Sequence, residues 1–188
     1  MAAGYGLRPV QRGGAGYQTA GFIELPIGKD AYGTAIFNGD TVVYDKTTDN
    51  GTTGINVSNA VTGLAAIGVL VGARWVDSTG TPQWGQRYDG NAGNTEAMAF
   101  VAPNEGTIFK VQANVAWEQK YVGWLNLLVA GAGGNVKTGN SSVTIALAAA
   151  TGASATIVVV GPADASDTST TPDVLVRWTP AGLGRQLG

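Results

Sequence analysis

Paired carboxylates are the one set of side chains in this sequence whose type and spacing could do chemistry. Its 188 residues contain no histidine and no cysteine. That excludes the side chain that titrates near neutrality, the Ser/His and Cys/His nucleophile pairs and the usual zinc ligand sets. Two carboxylates are enough for glycoside hydrolysis, and the close acidic pairs are Asp40 with Asp45, Asp45 with Asp49, and Asp164 with Asp167. Each lies beside Gly, Thr, Ser or Asn in an expected turn, where aspartate is favoured because its side chain hydrogen-bonds the local backbone. Glu96, Glu105 and Glu118 fall in separate segments, and nothing in their spacing makes them converge. Turn and surface duty is the reading for all of these, so no catalytic residue is assigned. Calcium needs an ordered oxygen-rich loop, which the aspartate spacings do not supply, and neither a metal nor a cofactor is expected.

Two glycine-rich stretches imitate phosphate-cradling loops: Gly13-Gly14-Ala15-Gly16 and Gly131-Ala132-Gly133-Gly134. Neither has the Gly-Lys-Ser/Thr ending of a P-loop or the strand–loop–helix setting of a dinucleotide fingerprint. They read as connectors. Five tryptophans remain: Trp75, Trp84, Trp117, Trp124 and Trp178. Trp75 and Trp178 end apolar strands and belong in a core. Trp84 follows a turn and is the candidate exposed contact, as a sugar-stacking or protein-binding platform.

The elements that must hold these residues are short strands separated by turn chemistry. Strands are expected at Phe22–Ile27, Ala35–Phe37, Thr41–Asp45, Ile55–Val57, Leu64–Val76, Gln83–Tyr88, Glu96–Ala102 and Thr107–Ala113, then at Val143–Leu147, Ala155–Gly161 and Asp173–Thr179. Asn38-Gly39-Asp40 and Ser78-Thr79-Gly80-Thr81-Pro82 are the strong turn signals. Trp117, Tyr121, Trp124 and Leu128 recur at helical spacing, which predicts one or two helical turns near Ala116–Val122, with Gly123 opposing a longer helix. The result is an all-β barrel or sandwich of about ten short strands with one short helical segment. Residues 1–18 read as an extended N-terminal arm and 19–130 as the main β domain. Residues 131–180 read as a C-terminal β segment or subdomain, and 181–188 as a tail.

Only 13% of residues are charged, against about 25% in an ordinary domain. Glycine supplies 29 positions, roughly twice its usual share. Few charges on an apolar, glycine-rich chain suit a permanent assembly. The net charge of -2 and the scattered lysines and arginines give no footprint for nucleic acid. No apolar run is long enough to span a bilayer as a helix, and the first residues lack a signal-peptide plan. Synthesis in the cytoplasm, without a nucleic-acid or membrane partner, is the expectation.

Several blocks, in order, carry a resemblance. They are Tyr5-Gly6-Leu7-Arg8-Pro9-Val10, the run from Tyr32 to Val43, Ile67-Gly68-Val69-Leu70-Val71-Gly72, Ala99-Phe100-Val101-Ala102 and Ile108-Phe109-Lys110-Val111-Gln112. Over roughly the first two thirds of the chain this order resembles the head-decoration, or structural-cement, proteins of tailed bacteriophages. The C-terminal third agrees in style only. Where that family carries acidic residues before the Phe-x-Val-Gln strand, this chain has Ala102-Pro103-Asn104-Glu105, which keeps a turn and loses charge. The resemblance implies a β-rich protein without enzymatic activity on the capsid exterior of the virion. It would be made in the host cytoplasm, bridge subunits of the major capsid protein as a dimer or trimer, and stabilise the DNA-filled head.

Extended arms suit such a role, because a strand can add to a partner's sheet edge. Tyr5, Leu7, Arg8, Pro9 and Arg12 are the expected capsid-gripping arm, with the arginines paired to carboxylates. Leu183, Arg185 and Leu187 form a second candidate. Loss of residues 1–12 should then release the capsid and leave the fold intact. The competing reading is a carbohydrate- or host-surface-binding β module, for which Trp84–Asn94 is the segment with suitable residues.

Overall fold

Short apolar alternations divided by glycine, asparagine and aspartate turns build twelve strands among the described residues. The computed structural model describes residues 4–12, 21–27, 33–45, 54–58, 66–129, 133–147 and 157–179, with backbone alone for 11–12, 44–45 and 54–58. In chain order the strands are β1 (Arg8–Arg12), β2 (Ile23–Pro26), β3 (Thr41–Asp45), β4 (Gly54–Ser58), β5 (Gly68–Val76) and β6 (Pro82–Gly85). There follow β7 (Thr95–Pro103), β8 (Thr107–Gln112), β9 (Leu125–Val129), β10 (Thr144–Ala146), β11 (Ile157–Pro162) and β12 (Asp173–Trp178). The first sheet runs β1-β8-β12-β11-β9-β10; the second runs β2-β7-β5-β3-β4, with β6 paired to β5. All these strand pairs are antiparallel. The all-β sandwich expected from the sequence is the architecture found.

Alternation along the strands decides which residues face the space between the sheets. Phe109 and Val111, Val174 and Val176, and Ile157 and Val159 enter it from the first sheet; Val43, Val69 and Ala102 enter from the second. Phe109 and Trp178 meet edge to face at 5.1 Å between ring centroids. The next residue in each strand of the second sheet points the other way. Val42, Leu70 and Val101 join Ala73, Ala99, Ile27, Ile36 and Tyr88 in a second core on the opposite face. The second sheet is therefore buried on both faces over part of its length, and each fully buried aliphatic there contributes about 1.5–3 kcal/mol.

Residues 4–12 of the expected extended arm are part of this fold. β1 pairs with β8, from Arg8 opposite Lys110 to Arg12 opposite Thr107. Leu7 is completely buried in the sandwich core. To reach it the chain crosses the 38–40 turn at Gly6 and Gly39, both at positive φ. A Cβ on Gly6 would lie 2.6 Å from the Ser141 Cβ and 2.8 Å from the Gly39 Cα. The glycines serve a close backbone crossing, and a side chain at either one would force the strands apart. β12 pairs with β8, and β11 and β10 both pair with β9. The described strands after residue 131 therefore belong to the same sheet as β1 and β8.

The short helical segment expected near Ala116–Val122 is present. One 3-10 turn, Gln119–Tyr121, forms there, and Gly123 at φ +81° redirects the chain into β9. Tyr121 is buried in the sandwich core, with Trp117, Trp124 and Leu128 packed against it. These four residues meet one core from a turn and a strand, which mimics a helical stripe. Ala35–Phe37 shrinks to a single bridge between Ile36 and Tyr88, because residues 37–40 close into a turn with Phe37 N–H donating to Asp40 Oδ2 at 2.8 Å.

Deleting residues 1–12 should therefore damage the fold itself. Loss of the Leu7 side chain alone costs about 2–5 kcal/mol, and loss of β1 exposes the edge of β8. Urea unfolding of the truncated chain should show a large loss of stability; an unchanged midpoint would contradict the packing described.

Candidate interaction surface around Trp84

The exposed feature with the most defined geometry is carried by the β5–β6 hairpin, and one aspartate shapes its turn. Asp77 Oδ1 accepts from Thr79 N–H at 2.9 Å, Thr79 Oγ1 at 2.6 Å and Thr81 N–H at 2.9 Å. Its Oδ2 accepts from Gln83 Nε2 at 2.8 Å. Gly80 takes the positive φ of +83° that the reversal needs. Donation to the carboxylate favours its charged form: the Thr79 hydroxyl contributes most, followed by the Thr81 N–H and the Gln83 amide, and the Asp77 pKa falls to about 2.

Beyond this turn, register fixes what shares a face. Arg74 stands opposite Trp84 in β6 and opposite Met98 in β7; Gly72 stands opposite Phe100, which stands opposite Glu24 in β2. These residues continue the face that, one end further along, carries Val69 and Ala102 into the sandwich core. Here the face is open. Trp84 is 71% exposed and stacks on Phe100, with centroids 5.6 Å apart and planes within 19°. Arg74 Nε donates to Glu24 Oε1 at 2.5 Å beside the rings. The arrangement is a flat aromatic ledge with a fixed ion pair at its rim, suited to contact and with no proton-transfer chemistry of its own.

The sequence-derived arm residues lie elsewhere and are largely occupied. Leu7 is core and unavailable to any partner. Arg8 was expected to seek a carboxylate on another chain. Instead one Nη donates to Asn38 Oδ1 and the other to Asn140 Oδ1 at 2.6 Å; burial lowers its pKa. Tyr5 lies under two cations, with Arg8 at 5.9 Å and Lys110 at 5.5 Å from its ring centroid. Burial, with Asp173 nearby, raises its hydroxyl above the ordinary tyrosine range. Pro9 lies in β1 opposite Phe109, and Arg12 ends that strand opposite Thr107. Leu183, Arg185 and Leu187 lie outside the described residues, as does Asp49.

Asp40 and Asp164 serve turns. Asp40 is buried; loss of water raises its pKa, opposed by hydrogen bonds from Ser141 and the Phe37 N–H. Asp164 is exposed and accepts from the Ser166 hydroxyl at 2.7 Å and its N–H at 2.8 Å, which lowers its pKa. Among the described residues no three acidic side chains gather in a way that could hold a metal ion. Sequence reasoning selected Trp84 and missed Phe100, Arg74 and Glu24. Only strand register could have joined them, since they come from four different strands. No family model, curated protein or solved structure matches the chain.

Because the folded Asp77 pKa is lowered, its contribution to the turn is present above the ordinary aspartate value of ~3.9 and lost as pH falls through about 2. The amide shifts of Thr79 and Thr81 should titrate with a midpoint near pH 2. A midpoint at the ordinary aspartate value would show that the carboxylate does not hold the turn.

Proposed function

We propose that the protein is a structural component of a phage capsid exterior, which binds the shell of major capsid protein by surface contact and stiffens the filled head. The observation that carries this reading is the Trp84 ledge. A tryptophan held by stacking and left 71% exposed has the character of an interface anchor, because its position is fixed before binding and its area is large. The class of partner is the one implied by the resemblance of the ordered blocks to head-decoration proteins. Arg74 and Glu24 satisfy one another at the rim, so the ledge can be covered without leaving an isolated charge. The ledge offers docking through strands, while Leu7 and Arg8 of the expected arm are engaged within the chain.

A carbohydrate-binding module is the second reading, favoured by the same stacked indole, which offers an aromatic face to a sugar ring with hydrogen-bonding groups alongside. One variant separates the two. Trp84→Ala should cost the fold no more than about 1.5 kcal/mol, the scale of one aromatic pair. It should weaken binding to heads lacking the protein by at least about 30-fold, as expected of an anchor worth 2 kcal/mol or more. Head binding unaffected by the substitution would overturn the proposal, and glycan binding lost in its place would establish the second reading.

A further inference from the structure

Residues 85–89, where the chain leaves β6, face the 135–140 loop across a cleft of about 460 Å³. That volume falls within the ~300–1,000 Å³ of small-molecule sites. Trp75, which packs against the second core, lines the cleft together with Gln86, Arg87, Lys137 and Thr138. Gly85 leaves the indole uncovered: a Cβ there would stand 3.3 Å from Trp75 Cη2 and 3.0 Å from Arg87 O. Trp75 Nε1 is buried and has no hydrogen-bond partner among the described residues, the kind of donor that a bound ligand or water satisfies.

Both walls are held in place by the chain itself. Asn135 N–H donates to Asn140 O at 2.7 Å, and Gly139 N–H donates to Asn135 O at 2.8 Å. Asn135 Oδ1 accepts from Lys137 N–H at 2.9 Å and from Thr138 N–H at 3.2 Å. Asn38 N–H donates to Gly139 O at 2.9 Å, which ties this loop to the 38–40 turn. On the other wall the Arg87 guanidinium lies over the Phe37 ring, 5.9 Å from its centroid. That ring fills the space a side chain at Gly134 would need, since a Cβ there would fall 2.0 Å from Phe37 Cγ. A site fixed in this way loses little freedom on binding.

Charge and chemistry select the ligand. Arg87 and Lys137 have no carboxylate partner among the described residues. Asp89, at the same cleft, serves its own turn: its Oδ1 accepts from Asn91 N–H at 3.0 Å and Asn94 Nδ2 at 2.5 Å. Two cations against one acid make the cleft positive on a chain of net charge -2. The Arg87 fork suits a carboxylate, Gln86 and Thr138 suit hydroxyl groups, and the indole offers apolar surface to ring C–H groups. A lone acidic side chain would meet the cations and leave the other groups unused. We infer that this cleft binds a uronic acid, a sugar residue that carries its own carboxylate. The inference goes beyond the capsid reading and does not rest on it: Arg74 and Trp84 share the ledge face, whereas Trp75 packs toward the second core.

Nuclear magnetic resonance of the full chain, titrated with trisaccharides of galacturonate, glucuronate and mannuronate, tests this. At least one of them should shift the Trp75 indole N–H resonance, and neutral galactotriose should not. Lys137→Glu changes an exposed side chain on a loop that other groups hold, so it should stay folded and weaken binding by about tenfold or more. Trp84→Ala should bind the saccharide as the wild type does, which separates the cleft from the ledge and from the fate of the capsid reading. A monosaccharide that binds as tightly as its trisaccharide assigns the cleft to a free sugar acid; tighter binding of the trisaccharide assigns it to an acidic polysaccharide. No shift with any of the three acidic sugars, unchanged affinity in Lys137→Glu, binding lost in Trp84→Ala, or triglutamate bound as tightly as the sugars would each overturn the inference.

Discussion

Burial of the second sheet on both faces is the constraint from which the other features follow. β5 must send Val69 into the sandwich core and Leu70 into the second core, and it must keep doing so across an irregularity. Between Leu70 and Gly72 the register with β7 shifts, so Val71 is an extra residue. With that bulge, Ala73 still reaches the second core beside Ala99, and Arg74 comes out on the same face as Phe100. A one-residue slip would exchange the two faces, burying the arginine and exposing the alanine. The ledge is thus a consequence of how the cores are filled: it is the portion of one sheet face that the other sheet does not cover.

One guanidinium ties a junction of the sandwich together. Arg8 ties β1 to the turn at Asn38 and the loop at Asn140, while Asn38 O accepts from Ser141 N–H at 2.9 Å. Three segments far apart in sequence therefore close around one guanidinium, whose fork can serve two acceptors where a lysine would serve one point. This arrangement engages the Arg8 guanidinium within the chain. The exposed aromatic surface is the Trp84 ledge, whose rim charges Arg74 and Glu24 are matched to one another.

Much of the fold was legible because strands and turns are local. The alternation at Glu96–Ala102 and Asp173–Thr179 maps onto β7 and β12 almost residue for residue, and Asn38-Gly39-Asp40 turns as its composition demands, with Gly39 at φ +98°. What could not be read depends on pairing. The N-terminal segment has no hydrophobic period because it supplies one core residue, Leu7, and then an irregular edge strand. Gly6 looks like flexibility and in fact permits a backbone crossing with Gly39. The spacing from Trp117 to Leu128 gave the helical turn at Gln119–Tyr121 and hid strand β9, which follows Gly123. Trp84 stood out by its position after a turn, but its neighbours on the ledge come from β2, β5 and β7 and share no sequence signal.

The most direct test is hydroxyl-radical footprinting of the protein free and bound to filled heads. The account predicts strong protection of Trp84 and Phe100 on binding, with the buried Phe109 unreactive in both states. Heads that carry the protein while Trp84 is oxidised as readily as in solution would contradict it.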